Sequence, residues 1–453
     1  SPRVGFTWDV LGDKSLKVRG GSGLFSGRLP LVFFTNMPTN SGMVQNVAAI
    51  STSASGEAHE LLKEFSGKMI TDVNELVAKL NKLDPKKYPL TIKPEDGVAP
   101  SSIQAVDPTF RMPQVWKSSI AVDYAFPTSF PFSVTGEFTF NKTINGVMLQ
   151  DWNLKDPSGF SRFTGVDNRH IYPENYTYTS TSAYVLTNTN KGYGHTSNIS
   201  VNIKPMDRLS VIASYTHTVQ KEVSGMPGSN AESAFTYLPT IEGPNYCGVH
   251  NSQYVTPDRA FVSLNYEDKG NNHYSIFYEA WRGGANESYM YTQDLNGDGY
   301  AYDLIYIPNN ASEVKWASPE DAKNFFAFVE QDKYLSTHKG QYAEAYSVYS
   351  PWTHRVDLRY AHDFVVMAGG KKNILQFNID FKNVLNIFNP AWGVAKYMNS
   401  SINEGRILSI KEIDNSGAPV FKSNVDGNTP TWTPSSGVGQ CWYFQVGIRY
   451  KFN

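Results

Sequence analysis

No apolar run in the 453 residues approaches the roughly 18 that a bilayer-spanning helix requires. Neither sign of charge dominates: 40 Lys and Arg against 42 Asp and Glu leave a net charge of −2, so nothing points to a nucleic-acid partner. The nine histidines have no ligand spacing, and neither H-E-x-x-H nor G-x-S-x-G occurs. No catalytic candidate rises above background, and the chain reads as a non-enzyme. A leader peptide is missing too, because Ser1-Pro2-Arg3 runs straight into a strand pattern. The expectation is a chain that is either mature or cut from something longer.

What is present is alternation. In 442–453, Trp442, Phe444, Val446, Ile448, Tyr450 and Phe452 interleave with Tyr443, Gln445, Gly447, Arg449 and Lys451. Leu375, Phe377, Ile379 and Phe381 do so with Gln376, Asn378, Asp380 and Lys382, and Val4, Phe6, Trp8 and Val10 with Gly5, Thr7 and Asp9. Period two means strands with one greasy and one wet side. Similar runs cover 16–27, 116–126, 132–140, 193–205, 209–222, 258–268, 273–290 and 353–365. The fold class is therefore all-β. Aromatics reach 14%, yet mean hydropathy is only −0.38. That low value does not exclude a membrane barrel, in which only every second residue of a strand faces lipid.

The connections decide which side faces in. They run short, long, short, long: 11–15, 28–114, 127–131, 150–192, 206–208, 223–257, 269–272, 291–352, 366–372 and 387–441. Tight periplasmic turns alternating with long extracellular loops are the pattern of a transmembrane antiparallel β-barrel in the bacterial outer membrane, greasy side to lipid. Eleven strands cannot close as an even-stranded barrel, so the chain reads as part of a larger wall. A strand hidden at 182–190 would alter that count.

Several ordered motifs carry a family resemblance: S-P-R-V-G-F-T-W-D-V (1–10), L-K-V-R-G-G-S-G-L-F-S-G-R (16–28), F-R-M-P-Q-V-W-K (110–117), L-T-N-T-N-K-G-Y (186–193), D-L-I-Y-I-P (303–308), F-K-N-V-L-N-I-F-N-P (381–390) and the terminal V-G-I-R-Y-K-F-N. Together they resemble TonB-dependent outer-membrane receptors of Bacteroidetes, the Oar-like group in particular. The resemblance implies a barrel of about 22 strands, a plug, and energised uptake through TonB. It makes 1–453 the C-terminal part of the barrel, with about 11 strands, its partners being outer-membrane lipid, the remaining barrel and plug, TonB, and a surface lipoprotein. Uptake of a large or scarce ligand, a peptide or a glycan, is the expected function. The rival is a structural or secretion-associated barrel that scaffolds lipoproteins.

Four loop features carry candidate chemistry. Asp294, Asn296 and Asp298, each two apart and followed by Gly299, match the start of a calcium loop, with the Tyr300 carbonyl and Asp303 completing a Ca2+ shell. The competing reading is an acidic turn capped by its own side chains. Cys247 and Cys441, the only cysteines, both fall on the extracellular side, which favours a disulfide over two separate thiols. Tyr172, Tyr176 and Tyr178 lie in an aromatic-rich loop and either capture ligand or fill space between loops. Helices are expected at 57–83, as a lid or as loop packing, and at 318–332, with Ser318 as N-cap and Pro319 at the first helical position.

Overall fold

Alternating residues form strands, and the strands pair in chain order. The computed structural model describes residues 2–39, 60, 61, 63, 71–91, 102–178, 181–283 and 286–452. Its main sheet is a wall of eleven strands, each antiparallel to the next. They are β1 (Arg3–Asp9), β2 (Leu16–Ser26), β3 (Gln114–Ala125), β4 (Phe132–Asp151), β5 (Tyr193–Met206), β6 (Leu209–Glu222), β7 (Asp258–Glu267), β8 (Asn272–Arg282), β9 (Thr353–Ala368), β10 (Lys371–Lys382) and β11 (Tyr443–Lys451). The sheet is open: among the described residues β1 pairs only with β2, and β11 only with β10. The segment Ser182–Thr189 is a strand but not a wall strand. It pairs with the end of β4 at Gly146–Asp151 and, in parallel, with Ser102–Val106, so the wall count stays at eleven.

Register assigns the faces. Phe6, Gly20, Ile120 and Phe138 form one cross-strand row, and Tyr360, Ile379 and Val446 another. Phe6 lies against Gly20, where a Cβ would meet its ring at 2.8 Å. Such rows are apolar and exposed, with Val4 at 72% and Ile448 at 73%. In water that exposure would be unfavourable by roughly 25 cal/mol per Å². On a lipid-facing wall it is the expected state.

The five short turns close one end. Asp9 accepts the N–H groups of Gly12 (3.0 Å) and Lys14 (3.1 Å), and Asp268 those of Gly270 (2.8 Å) and Asn272 (3.0 Å). Between β9 and β10 the expected loop 366–372 shrinks to Gly369-Gly370, whose φ values of +62° and +76° suit a tight type I′ turn. The expected run 273–290 breaks at Arg282. Gly283 turns the chain at φ +100°, and Asn286–Glu287 pairs instead with Val348–Tyr349.

The hydrophobic core lies in the long connections, not in the wall. Tyr289, Tyr291, Ile305, Phe325, Phe328, Ile407 and Phe421 are buried together there. Helix α1 (Val32–Thr39), α2 (Val73–Leu83), α3 (Ala231–Thr236) and α4 (Pro319–Gln331) belong to these loops. In α4, Ser318 Oγ accepts the Asp321 N–H at 3.1 Å and Pro319 opens the first turn, as the sequence indicates. Only part of the expected helix 57–83 is described: Asp72 caps α2, and Leu62, Phe65 and Met69 lie outside the described residues.

Candidate functional site

Two surfaces bear polar chemistry: the inner face of the wall and the loop cap above it. On the inner face, Arg19 reaches Asp123 (3.0 Å) and Glu137 (3.2 Å), while Thr135 donates to Asp123 at 2.7 Å. Farther round, Arg359 pairs with Asp380 (3.2 Å), Lys382 with Asp357 (2.9 Å) and His273 with Asp363 (3.3 Å). Such partly exposed pairs contribute only about 0–1 kcal/mol each. Their consequence is a wet, charged lining opposite the greasy face.

The cap is locked by a buried ion cluster. Arg169 forks onto Asp167 (2.9 and 3.1 Å), reaches Asp303 at 3.1 Å and donates to the Leu304 carbonyl at 2.6 Å. Tyr291 and Tyr342 donate their hydroxyls to Asp167 at 2.9 and 3.0 Å. Burial alone would lower the Arg169 pKa, but Asp167 and Asp303 hold it above its ordinary value. Arg169 comes from the β4–β5 connection and Asp303 from the β8–β9 connection, so the cluster joins two loops. Sequence reasoning missed Asp167 and Arg169. Their one signal was a pair of opposite charges two apart in an aromatic-rich loop.

The acidic motif folds back on itself. Asp294 accepts the N–H groups of Gly297 (2.8 Å) and Gly299 (2.7 Å), Asn296 that of Asp298 (3.1 Å), and Asp298 that of Tyr300 (2.8 Å). Gly297 and Gly299 take positive φ here, +79° and +93°. Asp303 is drawn away: one oxygen faces Arg169 and the other accepts the Leu295 N–H at 2.7 Å. Tyr300 contributes its hydroxyl to Asp151 at 2.8 Å. The side-chain oxygens expected to form a calcium shell are thus taken up by backbone N–H groups and, at Asp303, by Arg169 as well. Among the described residues no three His, Cys, Asp or Glu side chains converge on a cation position. Burial, with Asp303 and Asp294 close by, instead pushes the Asp298 carboxyl well up from 3.8, and burial raises Asp303 to about 7 against the pull of Arg169.

The expected Cys247–Cys441 bridge is also corrected, since both thiols are free. Cys247 packs against the cap core, its pKa pushed up to about 12 by burial. Cys441 is exposed just before the extracellular start of β11, between Gln440, held by Asn383, and Trp442, held by Asn386. The three tyrosines part company. Tyr172 is buried against Phe160, and its hydroxyl donates to the Glu242 carbonyl at 3.4 Å, so it fills space between loops. Tyr176 meets Ser182 at 3.1 Å, and Tyr178 alone is fully presented, at 87% exposure.

An open antiparallel wall with an apolar outer face, a charged inner face and a cap of long loops has its counterpart in sequence. A family model described as "Outer membrane beta barrel domain" matches residues 1–412. The chain belongs to that family. This outer-membrane barrel protein accordingly sits in the bacterial outer membrane with its apolar rows in lipid. No curated protein matches its sequence. Among solved structures it is similar to the outer membrane transporter YddB from Escherichia coli, at 8% identity and a TM-score of 0.40. That alignment covers 98% of this chain and 40% of the transporter's chain, so the protein spans well under half of that length. A likeness so loose carries no argument about substrate.

Proposed function

We propose that this chain is wall and capture surface of a TonB-dependent outer-membrane receptor, taking up a ligand too large or scarce for passive pores. The observation that carries the reading is the pairing of a charged inner face, Arg19 with Asp123 and Glu137, with a cap that has a packed core of its own. A scaffold that held only lipid and neighbours would need neither a wet lining nor an internally cross-linked cap. The free edges at β1 and β11 call for further strands, because unpaired backbone is costly in lipid. We assign those strands, and a plug with the TonB contact, to residues outside this chain, with peptide or glycan as ligand class. The test is to read the gene upstream of Ser1 and cross-link its full product to TonB. A plug with a TonB box and a cross-link are expected. A product with neither, or with uptake that persists without TonB, contradicts the proposal.

A further inference from the structure

The outer face changes character at its upper end. Trp116, Lys142, Tyr193 and Lys221 form one cross-strand row. Phe138, Ser197, His217, Asp258 and Arg282 form the next that reaches the rim. Side chains of one row share a face, so Lys221 and Arg282 point to the side on which Phe138 meets lipid. They do so at the ends of β6 and β8 that lead into long loops, which is the extracellular boundary. Lipid-facing positions lower down are mostly apolar; here three are cationic, Lys142, Lys221 and Arg282.

A cavity of about 400 Å³ opens between the last two and the cap, lined by Lys221, Arg282, Lys333, Tyr334, His338 and Tyr349. The nearby acids are already engaged. Glu344 pairs with Lys221. Asp258 accepts Tyr215 Oη at 2.7 Å and His217 Nδ1 at 2.8 Å, and stands only at the margin of Arg282, 3.7 Å away. Asp332, also at the cavity, accepts two hydroxyls, from Tyr289 and Thr431, and the N–H groups of Tyr334 and Leu335. Arg282, whose guanidinium lies over the Tyr349 ring at 5.2 Å, keeps donors free. Among the described residues Lys333 forms no ion pair.

We propose that this rim cavity binds the phosphate-bearing headgroup of an outer-leaflet glycolipid. Arg282 supplies a planar fork and Lys333 a mobile point charge, the two donor types suited to phosphate. The position supplies the rest: basic pockets at a membrane boundary recruit anionic lipid heads. With the phosphate in the cavity, acyl chains run down the apolar face past Tyr215, Ala260 and Ala280, the row next to Arg282's on that face. A free anion would gain nothing from that second contact. The inference rests on register and outer-membrane location, and is independent of the transport proposal.

Native mass spectrometry of the full-length protein, purified from outer membranes in detergent, tests it with added lipid A, either diphosphorylated or enzymatically dephosphorylated. The phosphorylated lipid should bind at least about tenfold more tightly, the factor expected from one charge-assisted hydrogen bond. Arg282→Gln with Lys333→Gln should abolish that difference. Lys333→Gln alone, which breaks no ion pair among the described residues, should reduce it and guards against misfolding of the double variant. Equal binding of the two lipids, no effect of either variant, or full displacement by inorganic phosphate at matched concentration overturns the proposal.

Discussion

Arg169 and Asp303 come from different extracellular connections and meet 3.1 Å apart, each with about 1% or less of its side chain exposed. Their pairing fastens the β4–β5 loop to the β8–β9 loop, with Asp167 closing the fork. Replacing Arg169 by Met leaves two buried carboxylates without a cation. That costs about 3–5 kcal/mol, the range for breaking a buried pair by removing one partner. Hydrogen exchange should then show the cap opening at 161–171 and 289–307, while amides of the wall stay protected.

The same cluster gives the cap an unusual pH response. The Asp303 carboxyl is raised in the folded cap, to about 7 from 3.8, so the folded form binds its proton more tightly than the unfolded form. Stability from this group is therefore fully present below about pH 4 and is lost as pH rises through 7. Limited proteolysis of the loops should slow as pH falls from 8 to 5. Asp303→Asn should remove most of that slope, and faster cleavage at pH 5 would contradict the assignment.

Chelation should do little. Asp294, Asn296 and Asp298 already accept backbone N–H groups, so the turn needs no cation to close. EDTA and excess calcium should give the same protease pattern around 290–305. A calcium-dependent pattern would support the metal reading of this motif.

The thiols should separate by rate. Cys441 is exposed, whereas Cys247 is packed against the cap core with its pKa raised to about 12. Under non-reducing conditions both should alkylate, Cys441 at once and Cys247 only as the cap opens. A chain that takes up no reagent until reduced would show a bridge after all.

The wall was legible because period two is a strong local signal that a half-exposed sheet repeats along every strand. Phe377 and Asn378 announce their faces without any tertiary information, and the alternation of connection lengths sets which face meets lipid. The cap was legible only where the chain signals locally, as at Ser318-Pro319. Arg169 meeting Asp303 is a contact between residues 134 apart in sequence, and nothing in either neighbourhood encodes it. The acidic motif is ambiguous for a related reason. Its spacing is shared by Asx turns and cation loops, and what separates them here is Arg169, which draws Asp303 out of the ring of donors. Tyr172 likewise looks available until Phe160 and Asn296 are known to cover it.

The central claim is that the apolar face of this wall meets lipid and the charged face meets water. It is tested most directly on β10, in a full-length background with Cys247 and Cys441 replaced by serine. Single cysteines at Leu375, Phe377, Ile379, Gln376 and Asn378 are labelled with a fluorophore in intact outer-membrane vesicles. Nitroxide on the lipid chains should quench the first three, and a water-soluble quencher the last two. Quenching in the opposite pattern, or the same pattern at all five, would contradict the account.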